Sequence, residues 1–233
     1  MQYIGFVLAA MGADYYPRLT GVISDHKAAT RLVNEQTEIA LLLSAPVFIA
    51  MIGLTPWVIN LLYSSAFLPA VDVLRWQILG DILKVVSWPL GFVIMAAGAG
   101  KTFFFTETLV LLLMGGLIAG LSASVGLQIT GIAFLVSYAV YLPLVYLLAK
   151  RRIEFKWQPN VTRLLLSVFA LCVLVAFLSA RYWWGGFVAF GLTIVFGFYT
   201  VARIAHMSSV DGQVGRIAAF GQRILSKIGI GNE

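Results

Sequence analysis

Of 233 residues, 61% are hydrophobic and only 11% are charged, with a mean hydropathy of +0.93. A soluble domain carries about 25% charged residues, so the composition excludes an ordinary soluble domain and indicates an all-α, polytopic helical membrane protein. The net charge of +6, from 16 Lys and Arg against 10 Asp and Glu, is borne by residues that flank apolar runs, which argues for membrane topology and against a nucleic-acid partner.

Residues 1–13 are apolar but shorter than the ~20 residues that cross a bilayer, and are read as a partial membrane helix. The start lacks a basic segment and is not read as a cleavable signal peptide. Residues 14–38, DYYPRLTGVISDHKAATRLVNEQTE, are polar and predict an amphipathic connector on the cytoplasmic side. His26 in this connector reads as a solvated surface residue. The first full span is expected at Ile39 to Tyr63, where Pro46 and Pro56 predict kinks or a break that neighbouring groups must re-satisfy.

The second span, Val73 to Ala97, is unusual. Asp81 and Lys84 stand near its middle, where an ionised side chain costs about 3 kcal/mol or more. At about 100° per residue, Gln77, Asp81, Lys84, Trp88 and Met95 share one face. Leu79, Ile82, Val86 and Val93 take the other, expected to meet lipid. Two readings of the polar face stand open. One is a structural Asp81–Lys84 pair that neutralises itself at a helix contact. The other is the lining of a polar cavity for a hydrophilic or anionic substrate. Arg75 reads as a helix-end residue paired with Asp72.

Further spans are expected at Phe103 to Ser124, Leu127 to Ala149, Val161 to Ala180 and Trp184 to Ala202. In the first of these, Gly115, Gly116 and Gly120 predict close helix approach. Glu107 lies about one turn inside its start, either as a helix-end carboxylate near the positive helix terminus or as a coupling group. Together residues 39–149 read as a four-helix unit, and 150–207 as a basic loop with two more helices. Residues 208–233 read as a basic amphipathic tail on the cytoplasmic surface.

Six spans place Arg18, Lys27, Arg31, Lys101, Lys150, Arg151, Arg152, Lys156, Arg163, Arg203, Arg216, Arg223 and Lys227 on one side. Only Arg75 and Arg181 fall on the other. This asymmetry predicts that the first group, and with it the C-terminus, is cytoplasmic. The single Cys172 lies in an apolar run and permits no internal disulfide. No metal-ligand cluster, nucleophile motif or phosphate-binding glycine loop appears, so neither a catalytic residue nor a cofactor is expected.

Three strings then acquire a common meaning. Ala13 to Thr20, ADYYPRLT, resembles the end of a helix in polysaccharide flippases of the Wzx type. Leu61 to Ala70, LLYSSAFLPA, and Ile78 to Thr102, ILGDILKVVSWPLGFVIMAAGAGKT, follow in the order seen in that family. The family belongs to the MOP (MATE-like) exporter superfamily, and the resemblance covers most of residues 3–150. It implies one lobe of a two-lobe fold, the C-terminal part of a larger flippase whose N-terminal lobe is missing here. It also implies alternating access to a polyprenyl-pyrophosphate-linked oligosaccharide in the inner (plasma) membrane, in polysaccharide, O-antigen or lipopolysaccharide assembly. On that reading Gln77, Asp81, Lys84, Trp88 and Arg18 are substrate-binding candidates, and Asp81 and Glu107 are coupling candidates. Membrane lipids, other polysaccharide-assembly proteins and the missing lobe are the expected partners. For Arg18, helix capping or a lipid-phosphate contact stands beside the substrate role. A non-transporting partner subunit, or a membrane glycosyltransferase or acyltransferase, are the rival readings.

Overall fold

A computed structural model describes residues 2–63 and 65–206. The described residues form seven α-helices and no strand: α1 Gln2–Val22, α2 His26–Leu62, α3 Pro69–Ala96, α4 Gly100–Val125, α5 Ile129–Ile153, α6 Pro159–Arg181 and α7 Gly185–His206. Five stretches are long and apolar enough to cross a membrane. One of them, 100–153, holds both α4 and α5, folded back on each other at the short 3-10 turn Gly126–Gln128. These two helices have 26 and 25 residues, about 38 Å each at 1.5 Å per residue, so each spans the ~30 Å hydrocarbon core. The expected tail helix at 208–233 lies outside the described residues.

Residues 14–38, expected as a connector, are divided between two helices. Residues 14–22 extend α1 through Pro17, and 26–38 open the 37-residue α2. What separates them is a helix start signal. The Asp25 carboxylate accepts from the amides of Lys27 (3.0 Å) and Ala28 (3.1 Å), satisfying two of the orphan donors at the start of α2.

α2 continues through Pro46 and Pro56, and at Pro46 a neighbour supplies what the proline removes. Pro46 has no N–H to donate to the carbonyl of Leu42, four residues back. That carbonyl accepts instead from the Thr200 hydroxyl of α7 at 2.9 Å. The bond also registers α7 against α2, as does the Arg203–Glu38 ion pair at 2.8 Å.

The helix α3 is the centre of the assembly. It packs against α1, α2, α4, α5 and α6, most extensively against α5. Leu79, Ile82, Val86 and Val93, expected to face lipid, are instead buried in protein. Ile82 and Val86 meet Phe48 and Ile52 of α2 and Val168 and Cys172 of α6 in one core cluster. Apolarity alone does not distinguish lipid from another helix, since both environments are hydrocarbon; the surrounding elements decide.

The glycines that permit close approach also differ from expectation. A Cβ at Gly115, Gly116 or Gly120 would meet nothing within 4 Å. The tight contacts are at Gly80, where a Cβ would stand 3.0 Å from the Leu135 backbone, and at Gly131, where it would stand 2.5 Å from the Val73 carbonyl oxygen. Gly53 likewise admits Ala189 of α7. Small residues thus fix the α3–α5 and α2–α7 contacts, whereas α4 buries only Thr106 and Val110.

Consecutive helices alternate in direction. Thr30 of α2 donates to the Ile153 carbonyl at the end of α5, Arg152 reaches Thr102 at the start of α4, and Arg75 of α3 reaches Ser179 near the end of α6. One end of the bundle therefore collects Lys27, Arg31, Lys101, Lys150, Arg151, Arg152, Lys156, Arg163 and Arg203. The other carries Arg75 and Arg181, the former paired with Asp72 at 2.9 Å.

Candidate functional site

Between α3, α4 and α5 lies a cavity of about 210 Å³, lined by Lys84, Ser87, Trp88, Gly91 and Phe92 of α3, Phe103 and Glu107 of α4, and Tyr138 and Tyr141 of α5. Helical phase explains the α3 wall: residues 84, 88, 91 and 92 recur at i, i+4 and i+7 or i+8, one stripe of an α-helix. Three of the sequence-derived site residues, Lys84, Trp88 and Glu107, meet here.

The Lys84 ammonium makes no hydrogen bond, and no carboxylate lies within 4 Å of it among the described residues. It sits 5.7 Å from the ring centroids of both Phe134 and Tyr138. Two aromatic faces attract a cation through their quadrupoles, by about 0.5–2 kcal/mol, and leave its donors available. The Asp81–Lys84 pair expected as one alternative is not formed. Asp81 is buried, and its Oδ2 has no hydrogen-bond partner. Three residues apart, the two side chains share a face but diverge along it, Lys84 toward the α5 rings.

Glu107 is held differently. The Tyr141 hydroxyl donates to its Oε1, joining α4 to α5 across the cavity. Tyr141 itself is buried and packs edge-on against Tyr138 at 5.8 Å between centroids. Neither tyrosine was singled out from the sequence. The signal was present, since Phe134, Tyr138 and Tyr141 follow at i, i+4 and i+7 on one face of α5. In a chain with 13% aromatic residues that spacing does not stand out from ordinary core.

Trp88 closes the cavity toward α1. It packs on Phe92 at 4.8 Å and Tyr15 at 5.9 Å between centroids, and Gly12 of α1 lies against its ring. Tyr15 is fully buried and donates to the carbonyl of Pro89 at 3.1 Å. The tyrosine of the ADYYPRLT string therefore docks α1 onto α3 beside the cavity.

The remaining predicted residues lie elsewhere. Arg18 is on the exposed last turns of α1, paired with Asp14 at 3.4 Å, and is not among the cavity-lining residues. Gln77 and Asp81 lie on the cavity side of α3, two turns and one turn before its lining residues begin. Among the described residues no group of three or more His, Cys, Asp or Glu is placed to hold a metal ion.

What this arrangement can do follows from size and charge. At about 210 Å³ the space is below the ~300–1,000 Å³ of a pocket that encloses a whole small molecule. It accommodates one charged moiety, offered the Lys84 ammonium and the Tyr138 hydroxyl, with the Glu107 carboxylate engaged by Tyr141. A larger head group needs a facing surface beyond these helices.

No protein-family model matches this chain, and no solved structure matches it. Over 157 residues it is 27% identical to the lipid III flippase of Escherichia coli (strain K12), and equally to that of Shigella flexneri. Each match takes in 64% of this chain and 36% of the relative. The chain thus spans about a third of the length of the curated relatives it matches.

Proposed function

We propose that this chain forms one lobe of an inner-membrane transporter that flips an anionic, lipid-linked precursor, with its cavity between α3, α4 and α5 facing the substrate path. The observation that carries the reading is Lys84, a cation at membrane depth, held between aromatic rings with no ion-pair partner among the described residues. An ionisable residue in that position is functional by default. A phosphate or pyrophosphate group is the ligand such a donor fits, and the neighbouring Tyr138 suits a hydroxyl of an attached sugar. The similarity to two proteins named lipid III flippase supports a lipid-linked substrate of this general class, and transport rather than catalysis. A polyprenyl-pyrophosphate-linked oligosaccharide is the finer form of this reading. Glu107 and Asp81 are the groups proposed to couple transport to an ion or proton. The small volume and the uncovered outer face of α4 favour a second lobe opposite these helices.

Removing Lys84 alone confounds two effects, because it also takes away a cation that acts through space on the buried Asp81 carboxylate. The double change Asp81→Asn with Lys84→Gln removes both charges and retains hydrogen-bonding groups of similar size. Transport of a lipid-linked oligosaccharide is measured in cells or vesicles holding the complete transporter, with expression checked by immunoblot. A substrate-binding lysine leaves both the single and the double variant inactive although well inserted. Recovery of the double variant to near wild-type transport would falsify the binding role and assign Lys84 to charge balance.

A further inference from the structure

A second cavity, of about 510 Å³, opens between α2, α6 and α7 at the end of the bundle that carries most of the basic residues. Arg163 stands at the start of the second turn of α6 and Arg203 in the last turn of α7, so both side chains are near a membrane boundary. Arg203 spends its Nε and Nη2 on Glu38, at 2.9 and 2.8 Å. Its Nη1 makes no hydrogen bond. Arg163 bonds the Pro159 carbonyl through Nε and Asn160 through Nη2, and again leaves Nη1 unused. Glu38 is buried and offsets one of the two positive charges, so the cavity mouth carries a net charge of +1.

Below this mouth the lining turns apolar. Tyr199, Phe196 and Val195 of α7 precede Arg203 by four, seven and eight residues, about 6 to 12 Å deeper along the helix at 1.5 Å per residue. Charge at the boundary and hydrocarbon beneath it match a molecule with an ionic head and an acyl chain. We propose that this cleft is a binding site for one anionic phospholipid, whose single phosphodiester charge meets Arg163 and Arg203 and whose chain lies along Phe196 and Val195. Charge complementarity selects the occupant. A monoanionic phosphodiester brings the mouth to neutrality, whereas a zwitterionic lipid adds an ammonium beside two guanidiniums, and a pyrophosphate adds more negative charge than the mouth carries. Two guanidiniums, each with its Nη1 N–H groups unused, are suited to grip phosphate oxygens. The site is separated from the Lys84 cavity by the core between α2, α3 and α6, and its existence is independent of the transport reading.

The full chain, reconstituted in phosphatidylcholine nanodiscs doped equally with phosphatidylglycerol and phosphatidylethanolamine, is released and its retained lipid counted by native mass spectrometry. One retained phosphatidylglycerol per chain is expected. Because Arg163 is exposed, Arg163→Gln leaves the fold intact and lowers retention about tenfold, equivalent to about 1.4 kcal/mol. Arg163→Lys keeps part of it, and Arg181→Gln, at the opposite end of the bundle, changes nothing. Equal retention of phosphatidylethanolamine, or retention indifferent to Arg163→Gln, overturns the proposal. So does displacement of phosphatidylglycerol by an equimolar polyprenyl pyrophosphate, which would assign the cleft to a substrate lipid.

Discussion

At the scale of the residue, the candidate site depends on how each polar group inside the membrane is satisfied. Lys84 is held by two aromatic faces, Glu107 by the Tyr141 hydroxyl, and Asp81 Oδ2 by nothing among the described residues. The Tyr141–Glu107 bond is the most specific of these, because it links two helices and a hydrogen bond to a charged group contributes about 1.5–3 kcal/mol. Tyr141→Phe and Glu107→Gln are each expected to lower stability by about 1–3 kcal/mol. Their double mutant should fall short of the sum, with a coupling of at least 0.5 kcal/mol, roughly the smallest found between groups in contact. Thermal unfolding in detergent measures all four members of the cycle. Strict additivity would show that the two groups do not act together.

Among the elements, α2 shows how a membrane helix tolerates proline. Its continuity at Pro46 rests on a hydroxyl from another helix, and that hydroxyl also sets the register of α7. Thr200→Val removes the donor at nearly constant shape and leaves the Leu42 carbonyl unpaired in a buried site. The expected loss is about 1–3 kcal/mol, with Thr200→Ser close to wild type. Hydrogen exchange at residues 42–46 and 197–203 reads the effect locally. Unchanged protection in Thr200→Val would mean that Pro46 is satisfied some other way. A similar device works at the end of α5. Glu154 takes a left-handed conformation, φ 54°, and the chain beyond it is fastened by Asn34, which donates to the Lys156 carbonyl at 3.1 Å and accepts from the Gln158 amide at 2.8 Å. A side-chain amide inside α2 thereby replaces the backbone partners that a tight turn lacks.

For the molecule as a whole, the alternating helices place the basic residues overwhelmingly at one end, and on the positive-inside rule we propose that this end faces the cytoplasm. A cysteine introduced at Gln158, in a Cys172→Ala background, is expected to react with a membrane-impermeant maleimide only after the cells are opened. One introduced at Trp183, in the turn between α6 and α7, should react in intact cells. Labelling of the first from outside contradicts the orientation. The fold also leaves a broad apolar surface on α4, where Phe104, Phe105, Leu111 and Leu112 are all exposed. In a bilayer such a surface is covered by lipid or by other helices at little difference in free energy, so exposure by itself does not name its neighbour.

The membrane class, the helical spans and the charge asymmetry follow from the sequence alone, because length, apolarity and the position of Lys and Arg are local properties that any arrangement of these helices must obey. The cavity face of α3 was legible in the same way, since Lys84 and Trp88 share a helical phase whatever surrounds them. The tertiary structure decided what that phase cannot contain. Leu79, Ile82 and Val86 face protein because α2 and α6 cover them, and no pattern within α3 distinguishes a helix partner from lipid. Gly80 and Gly131, rather than Gly115 and Gly116, admit close neighbours because only their side of each helix is opposed. Whether Lys84 pairs with Asp81 or turns to Phe134 and Tyr138 depends on where α5 lies, fifty residues along the chain. A charged residue's address is written locally, but its partner is supplied by the packing.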